Sequence, residues 1–267
     1  MNSSLGQFYP TGSVIHKLDA RVKIILTLCF LTFIFISKTF IGNVVSLIFL
    51  LTVIYLSKIP LKVIFRSFRG IIFLLLFTLI TNIFFNQTGR VLVEISFIKI
   101  TTGGLLYSAR MIFRLGILIV ASFMLTFTTS TLDFADGLEY LLRPLKKIKF
   151  PSHEIAMIIT IALRFIPTIL EEMEKIKKAQ MSRGVDFESG NIIKRVKNFI
   201  PILIPLFISS FKRADDLAMA MEARCYRGDI NRTKLKVLKM YKNDYVAIGC
   251  LVIYLIIIVL VRFTIEV

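Results

Sequence analysis

Residues 39–57 read TFIGNVVSLIFLLTVIYLS, 19 residues without a charge. A helix needs about 20 predominantly apolar residues to cross a bilayer, within a working range of roughly 17–25. Three more uncharged runs fall in that range: Gly70–Gly89 with 20 residues, Leu115–Leu132 with 18 and Tyr245–Val261 with 17. The run Leu115–Leu132 extends back through Gly103 if Arg110 and Arg114 are tolerated. A run of 14, Ile24–Ser37, is lengthened by Val22 and by the aliphatic stem of Lys23. The spacing therefore predicts five spanning helices over 22–37, 40–57, 70–86, 104–129 and 244–263. The first is not read as a cleaved signal peptide. Ser37-Lys38-Thr39 lacks the small-x-small pattern of a cleavage site, and another apolar run follows at once.

Composition agrees with a membrane protein. The chain has 267 residues, 56% of them hydrophobic and 19% charged, with a mean hydropathy of +0.76. Soluble domains carry about 45–50% apolar and about 25% charged residues. So apolar a chain is not disordered and is poorly suited to free solution. Yet 34 Lys and Arg stand against 17 Asp and Glu, a net charge of +17. Nucleic-acid binding would interleave basic residues with stacking aromatics on a watery face. Most of the 24 Phe lie in the apolar runs instead. The three cysteines, Cys29, Cys225 and Cys250, form no Cys-x-x-Cys, and His16 and His153 are far apart. Neither a disulfide framework nor a metal site is expected.

The basic residues orient the chain. Lys17, Arg21 and Lys23 precede the first span, and Lys58, Lys62, Arg66 and Arg69 separate the second from the third. Lys38 alone marks the first outer turn, and Arg90 and Lys99 the second outer loop. By the positive-inside rule the N-terminus is cytoplasmic and, after five spans, the C-terminus is outside. Two further apolar stretches, Ile155–Leu163 and Asn198–Phe211, are short for spans. If both crossed, eight basic residues between 164 and 197 would lie outside, against the rule. The expected organisation is a membrane part, 1–129, a cytoplasmic or interfacial helical region, 130–243, and a last span in 244–267.

The middle region reads as amphipathic helices. Ser130 or Thr131 is a suitable N-cap, with Asp133, Asp136 and Glu139 near the positive end of the dipole. Leu138, Leu141, Leu142 and Leu145 make an apolar stripe, and Pro144 and Pro151 bracket the basic turn 146–149. A helix of some 30 residues follows from about Ser152 to Arg183. Pro167 is expected to kink it, and Glu171–Lys175 and Glu174–Lys178 are spaced for i,i+4 pairing. Gly184 suits the stop position. A second long helix runs from about Ile192 to Arg224, with Pro201 and Pro205 inside it. The two end alike: Ser182-Arg183-Gly184 and Ala223-Arg224-Cys225 each set Arg between small residues. Such an Arg either satisfies the last helical carbonyls or protrudes as a cationic fork for carboxylates on a partner.

These blocks together resemble the transmembrane T component (EcfT, related to CbiQ) of energy-coupling factor transporters, which are ABC-type importers of vitamins and metals. The resemblance rests on Gly6-Gln7-Phe8-Tyr9-Pro10 and the stretch from Ser13 to Lys23. It rests further on Thr128–Leu145, on Leu163-Arg164-Phe165-Ile166-Pro167 and on the two Arg-centred tips. It spans residues 6–228. The second tip departs from the family pattern, with Cys225 where Gly is usual, and cysteine disfavours the left-handed conformation. The resemblance implies an all-α integral membrane scaffold of a prokaryotic cell membrane, with no cofactor of its own, since ATP is bound by partner subunits. Two cytoplasmic ABC-type ATPase subunits would meet Ser182, Arg183, Gly184, Ala223, Arg224 and Cys225, one subunit per tip. A separate membrane S component, which captures the micronutrient, would rest on an apolar platform that includes Ile155, Ile158, Ile159, Ile202, Leu203, Leu206 and Phe207.

Two other classes compete. A membrane enzyme would need a catalytic constellation, and the sequence has no G-x-x-x-x-G-K-[ST] loop, G-x-S-x-G elbow or histidine triad. A stand-alone carrier or channel needs polar residues inside its spans. Arg110 and Arg114, one turn apart, are the charges within the spans proper, and they are read as snorkelling, pairing near an interface or binding lipid phosphate.

Overall fold

The computed structural model describes residues 8–37, 39–85, 88–95, 98–144, 151–187, 189, 191–228 and 239–265. Gly6-Gln7, Lys38, Leu145 and the basic turn 146–149 lie outside them. The elements in chain order are α1 (Ala20–Ile36), α2 (Phe40–Ser57), α3 (Leu61–Phe68), α4 (Ile72–Phe85), β1 (Val91–Ile95), β2 (Ile98–Thr101), α5 (Thr102–Thr128), α6 (Thr131–Leu142), α7 (Ser152–Ser182), α8 (Ile192–Ala223) and α9 (Lys242–Ile265). Among the described residues the fold is all-α apart from one pair of short antiparallel strands. The chain divides into two compact units, Met1–Tyr140 with Leu238–Val267, and Leu141–Val237.

In the first unit α1, α2, α5 and α9 pack around one core. Phe30, Ile34, Leu50, Ile54, Ile117, Met124, Phe127, Leu251 and Ile258 are buried there. Phe30, Phe49 and Tyr254 form an aromatic cluster with ring centroids 4.7–5.4 Å apart. The Tyr254 hydroxyl is 2.8 Å from Ser46 Oγ, which itself donates to the Gly42 carbonyl. Gly42, where α2 begins, packs against Ser37: a Cβ there would lie 2.0 Å from Ser37 Oγ and would force that side chain to move.

The span predicted over 70–86 is α4, Ile72–Phe85, preceded by a short helix that the spacing did not predict. The short helix α3 meets α4 at a 57° bend. The reason is visible in the sequence: Pro60 starts α3, while Arg69-Gly70 ends it before the apolar run begins. α4 is apolar, and its Thr78, Thr81 and Asn82 side chains donate back to carbonyls of the preceding turn. The second loop predicted outside folds as the β1–β2 hairpin, with Val91 opposite Thr101 and Ile95 opposite Ile98. Thr101 then caps α5, accepting the Gly104 N–H at 3.1 Å.

By length and composition α2, α5, α7 and α9 are each able to cross a membrane, as is the bent α3–α4 pair. α1, with 17 residues, sits at the lower end of the range.

Residues 8–19 tie the bundle together at one end. The Tyr9 N–H donates to the Phe127 carbonyl at 3.0 Å, and the Thr11 hydroxyl to the Ser57 carbonyl at 2.7 Å. His16 Nε2 is 2.8 Å from the Tyr9 carbonyl, so that nitrogen carries the proton. Its Nδ1 is then an acceptor for Ser13 Oγ at 2.8 Å. Burial, with the nearby Lys23 charge, holds the His16 pKa below its usual 6.5 against the pull of the Tyr9 and Phe127 carbonyls. Asp19 caps α1 through the Arg21 N–H and pairs with the Arg21 guanidinium at 2.7 Å. Burial alone would raise the Asp19 pKa, but the Arg21 hydrogen bonds and the Arg21 and Lys23 charges outweigh it and lower it. The Asp19 N–H donates to Asp244 Oδ1 at 2.8 Å, and the fully buried Asp244 also takes the Tyr241 N–H at 2.7 Å. Buried Lys23 donates to the His16 and Thr128 carbonyls at 2.9 and 2.8 Å. Tyr9 and Thr11 together with the block Ser13–Lys23 thus form a clasp joining the ends of α1, α2, α5 and α9. Ser130 starts α6 as expected: it accepts the Asp133 N–H at 3.1 Å and donates to Asp133 Oδ2 at 2.7 Å.

Candidate functional site

The second unit is built on α7 and α8, of 31 and 32 residues. Both run unbroken through their prolines. A proline leaves the carbonyl four residues earlier without its helical donor. For Pro205 that carbonyl belongs to Pro201, and Gln180 Nε2 reaches it from α7 at 3.5 Å. The helices are antiparallel neighbours. Arg213 donates to Glu172 Oε2 at 2.8 Å and lies 5.7 Å from the Phe165 ring. At the other end the Tyr226 hydroxyl donates to Met157 Sδ at 2.9 Å and lies 3.5 Å from buried His153 Nε2.

The connection between the helices is pinned by Phe187. It is buried against Phe199, with ring centroids 5.6 Å apart. The Asp186 carbonyl accepts Asn198 Nδ2 at 2.5 Å, and the Phe187 carbonyl accepts Arg195 Nε at 3.5 Å.

Both helices end in the same hydrogen-bond pattern. At the end of α7 the Gly184 N–H donates to the Met181 carbonyl at 3.0 Å and the Val185 N–H to the Gln180 carbonyl at 3.1 Å. At the end of α8 the Cys225 N–H donates to the Glu222 carbonyl at 2.8 Å and the Tyr226 N–H to the Met221 carbonyl at 3.0 Å. Counted from Arg183 and Arg224 the offsets are identical, and they define a Schellman stop with a left-handed residue after each Arg. Gly184 has φ +86° and Cys225 has φ +56°. Cysteine therefore follows the glycine path despite its Cβ.

That backbone pattern speaks against the reading in which the arginines satisfy the last helical carbonyls. The last carbonyls are taken by main-chain N–H groups, so the guanidinium groups are not needed there. Arg183 and Arg224 are exposed, and neither side chain makes a hydrogen bond or ion pair among the described residues. Because α7 and α8 are antiparallel, the two tips lie at opposite ends of the pair. Pro201 faces Gln180 beside the first tip, and the 23 residues from there to Arg224 correspond to about 35 Å of helix.

The other site residues lie as follows. Ser182, Gly184, Ala223 and Cys225 are exposed around the tips. Ile158, Leu203 and Phe207 are 62%, 48% and 63% exposed, whereas Ile202 is 2% exposed. Ile155, Ile159 and Leu206 are half-buried. On α8, Ile193, Val196, Ile200, Leu203, Ile204, Phe207 and Phe211 are all exposed, one apolar stripe at helical spacing. The sequence reading missed Phe187, Tyr226 and Asp244. A hydrophobic residue just beyond a Gly stop is the signal that points to Phe187.

Apolar helices long enough to cross a membrane, and two long helices with matched stops, define the chain as a protein of four or five candidate membrane spans. Residues 11–235 match the family model CbiQ, described as cobalt transport protein. The chain is 46% identical over 253 residues to a protein of Thermosediminibacter oceani, covering 94% of this chain and 95% of that one. It is 46% identical over 260 residues to one of Clostridium kluyveri, covering 97% and 96%. It is 40% identical over 249 residues to one of Bacillus subtilis, covering 93% and 94%. All three are named energy-coupling factor transporter transmembrane protein EcfT. The chain belongs to this CbiQ/EcfT family of transporter membrane components.

Proposed function

We propose that the chain is the non-catalytic T subunit of an energy-coupling factor importer, joining two ABC-type ATPase subunits in the cytoplasm to a membrane S component that carries the micronutrient. The observation that carries this reading is the pair of identical helix stops. Each leaves an exposed Arg unengaged, and about 35 Å of helix separates them, room for one ATPase subunit at each. A rigid guanidinium fork suits a carboxylate on each partner. Ser182 and Ala223, before each Arg, and Gly184 and Cys225, after it, let that partner approach closely.

In this reading residues 130–243 stay on the cytoplasmic side and α7, though apolar enough in its first half to cross, lies along the membrane. Its second half carries Glu171, Glu172, Glu174, Lys175, Lys177 and Lys178, which a bilayer core would penalise heavily. The exposed stripe of α8, with Ile155, Ile158 and Ile159 of α7, forms the platform for the S component. Ile202, being buried, supports that platform from beneath. ATP-driven movement of the tips is transmitted along α7 and α8 to the S component.

The double reversal Arg183→Glu plus Arg224→Glu tests the assignment. The expected outcome is loss of ATPase co-purification with normal membrane insertion. Undiminished co-purification would refute it.

A further inference from the structure

We propose that a cavity inside the first unit takes up one acyl chain of a membrane phospholipid. The proposal rests on the reading of α2 and α9 as bilayer-spanning helices, and not on the ATPase contacts.

The cavity lies directly beside the clasp and has a volume of about 250 Å³. Ile15 and Leu18 of the clasp segment line it at that end. On α1, α2, α5 and α9 the lining starts at Lys23, Leu56, Thr128 and Asn243. Each of these is in the clasp or next to a residue that the clasp holds: Lys23 bonds to the Thr128 carbonyl, Thr11 to the Ser57 carbonyl and Asp19 to Asp244. From there the lining runs about 10–12 Å along each helix at 1.5 Å per residue.

The cavity opens sideways, between α2 and α9. Of its lining, Thr52 and Leu56 on α2 and Val246 and Cys250 on α9 are exposed. Every lining residue of α1 and α5 is buried or half-buried. A side opening between two spans meets acyl chains rather than water. It begins at the level of the exposed Lys58 and Lys242, whose charges suit a lipid phosphate at the membrane surface.

The walls select hydrocarbon over water. Lys23 already donates to the His16 and Thr128 carbonyls, Thr52 to the Ile48 carbonyl at 2.9 Å and Thr128 to the Met124 carbonyl at 2.7 Å. Thr27 and Asn243 are the other polar side chains of the lining, and Asn243 is exposed at the clasp end. A buried water needs about 2–4 polar partners, whereas an apolar cavity of about 150 Å³ stays dry and takes up benzene. An empty cavity would also forfeit the dispersion contacts of its lining. A chain entering from the bilayer restores them without leaving hydrocarbon.

Photolabelling of the full chain in phospholipid vesicles tests this. The probe is a phospholipid with a diazirine in the half of one acyl chain nearer the headgroup. Phe30, Leu50 and Met124 line the cavity and are each 4% exposed, so lipid outside the bundle does not reach them. The expected result is adducts on these residues as well as on the outward Ile48 and Leu51, which are exposed and do not line the cavity. Ala121→Phe, which fills the end far from the clasp, should lose the inner adducts and keep the outer ones. Val246→Trp, at the exposed mouth, should do the same and serves where overpacking unfolds the first variant. Adducts confined to the outward residues would overturn the proposal, and so would inner adducts undiminished in both variants. A parallel arm offers the same diazirine chain as a free fatty acid. Inner labelling by the fatty acid but not by the phospholipid would overturn it as well. Extraction of membranes at alkaline pH reads the spanning separately. A chain washed out fails the spanning reading itself, while a chain that stays inserted and is labelled on its outward residues alone fails only this proposal.

Discussion

Cys225 holds a left-handed conformation that costs an L-residue about 1–2 kcal/mol relative to the right-handed one. Glycine pays no such cost but loses more chain entropy on folding, about 0.5–1 kcal/mol. Cys225→Gly should therefore stabilise the end of α8 by up to about 1 kcal/mol, seen as slower amide exchange over residues 220–228. Gly184→Ala should act in the opposite sense at the first tip, where φ is +86°. A second pair of expectations concerns the clasp. Asp244 accepts two backbone N–H groups while fully buried. Asp244→Asn leaves one of them without an acceptor, at a cost of about 1–3 kcal/mol, to be read as a lower melting temperature in detergent. His16 gives the clasp a pH dependence. Its pKa in the folded chain lies below 6.5, with burial as the main cause, so the unfolded chain binds the proton more readily. The stabilisation is complete above 6.5 and is lost as pH falls through the folded value. Amide exchange over residues 8–19 should accelerate on acidification, and less so in His16→Gln.

At the level of elements, α7 and α8 were legible almost to the residue, because each combines a long apolar repeat with a plain stop signal. Pro151 precedes the first, and Gly184 ends it. The α1–α2 turn and the start of α6 were equally plain from charge spacing and from Ser130. Pro60 and Arg69-Gly70 mark the ends of α3 in the sequence, but the 57° angle at which it meets α4 was not legible, since an apolar run gives no sign of how its neighbour meets it. Nor did the sequence disclose the hairpin, whose strands are only 5 and 4 residues long. Of the candidate site, the two arginines were visible as a repeat, but their freedom was not. That depends on which groups take the last carbonyls, a matter of backbone geometry. The residues that hold α7 against α8 were also hidden, because Phe187 and the Glu172–Arg213 pair act across a fold rather than along a period. Phe187→Ala should cost about 3 kcal/mol or more of local stability and open the connection. Trypsin should then cut at Arg183 or Lys194 faster than in the wild type, with the α9 end unaffected.

For the whole molecule, apolar length and charge placement give different weights to α7. Length and composition admit it as a span, whereas the eight basic residues between 164 and 197 argue that the segment stays on the cytoplasmic side. The same charges account for much of the net +17: residues 131–243 hold 21 Lys and Arg against 13 Asp and Glu, a surplus of 8. If α7 crossed and α8 did not return, Asp244 would lie across the membrane from Asp19, which the hydrogen bond between them forbids. If both crossed, the first tip would face outward, where no ATPase could reach it. The connection between them therefore reports on the topology and on the scaffold reading together. Ser189, exposed in that connection with its N–H bonded to Asp186 Oδ1, is the place to ask. In a Cys225→Ser, Cys250→Ser background, Ser189→Cys should resist a membrane-impermeant maleimide added to intact cells and react promptly once the cells are opened. Labelling in intact cells at the rate seen in opened ones would put 164–197 outside and remove the first tip from any cytoplasmic partner.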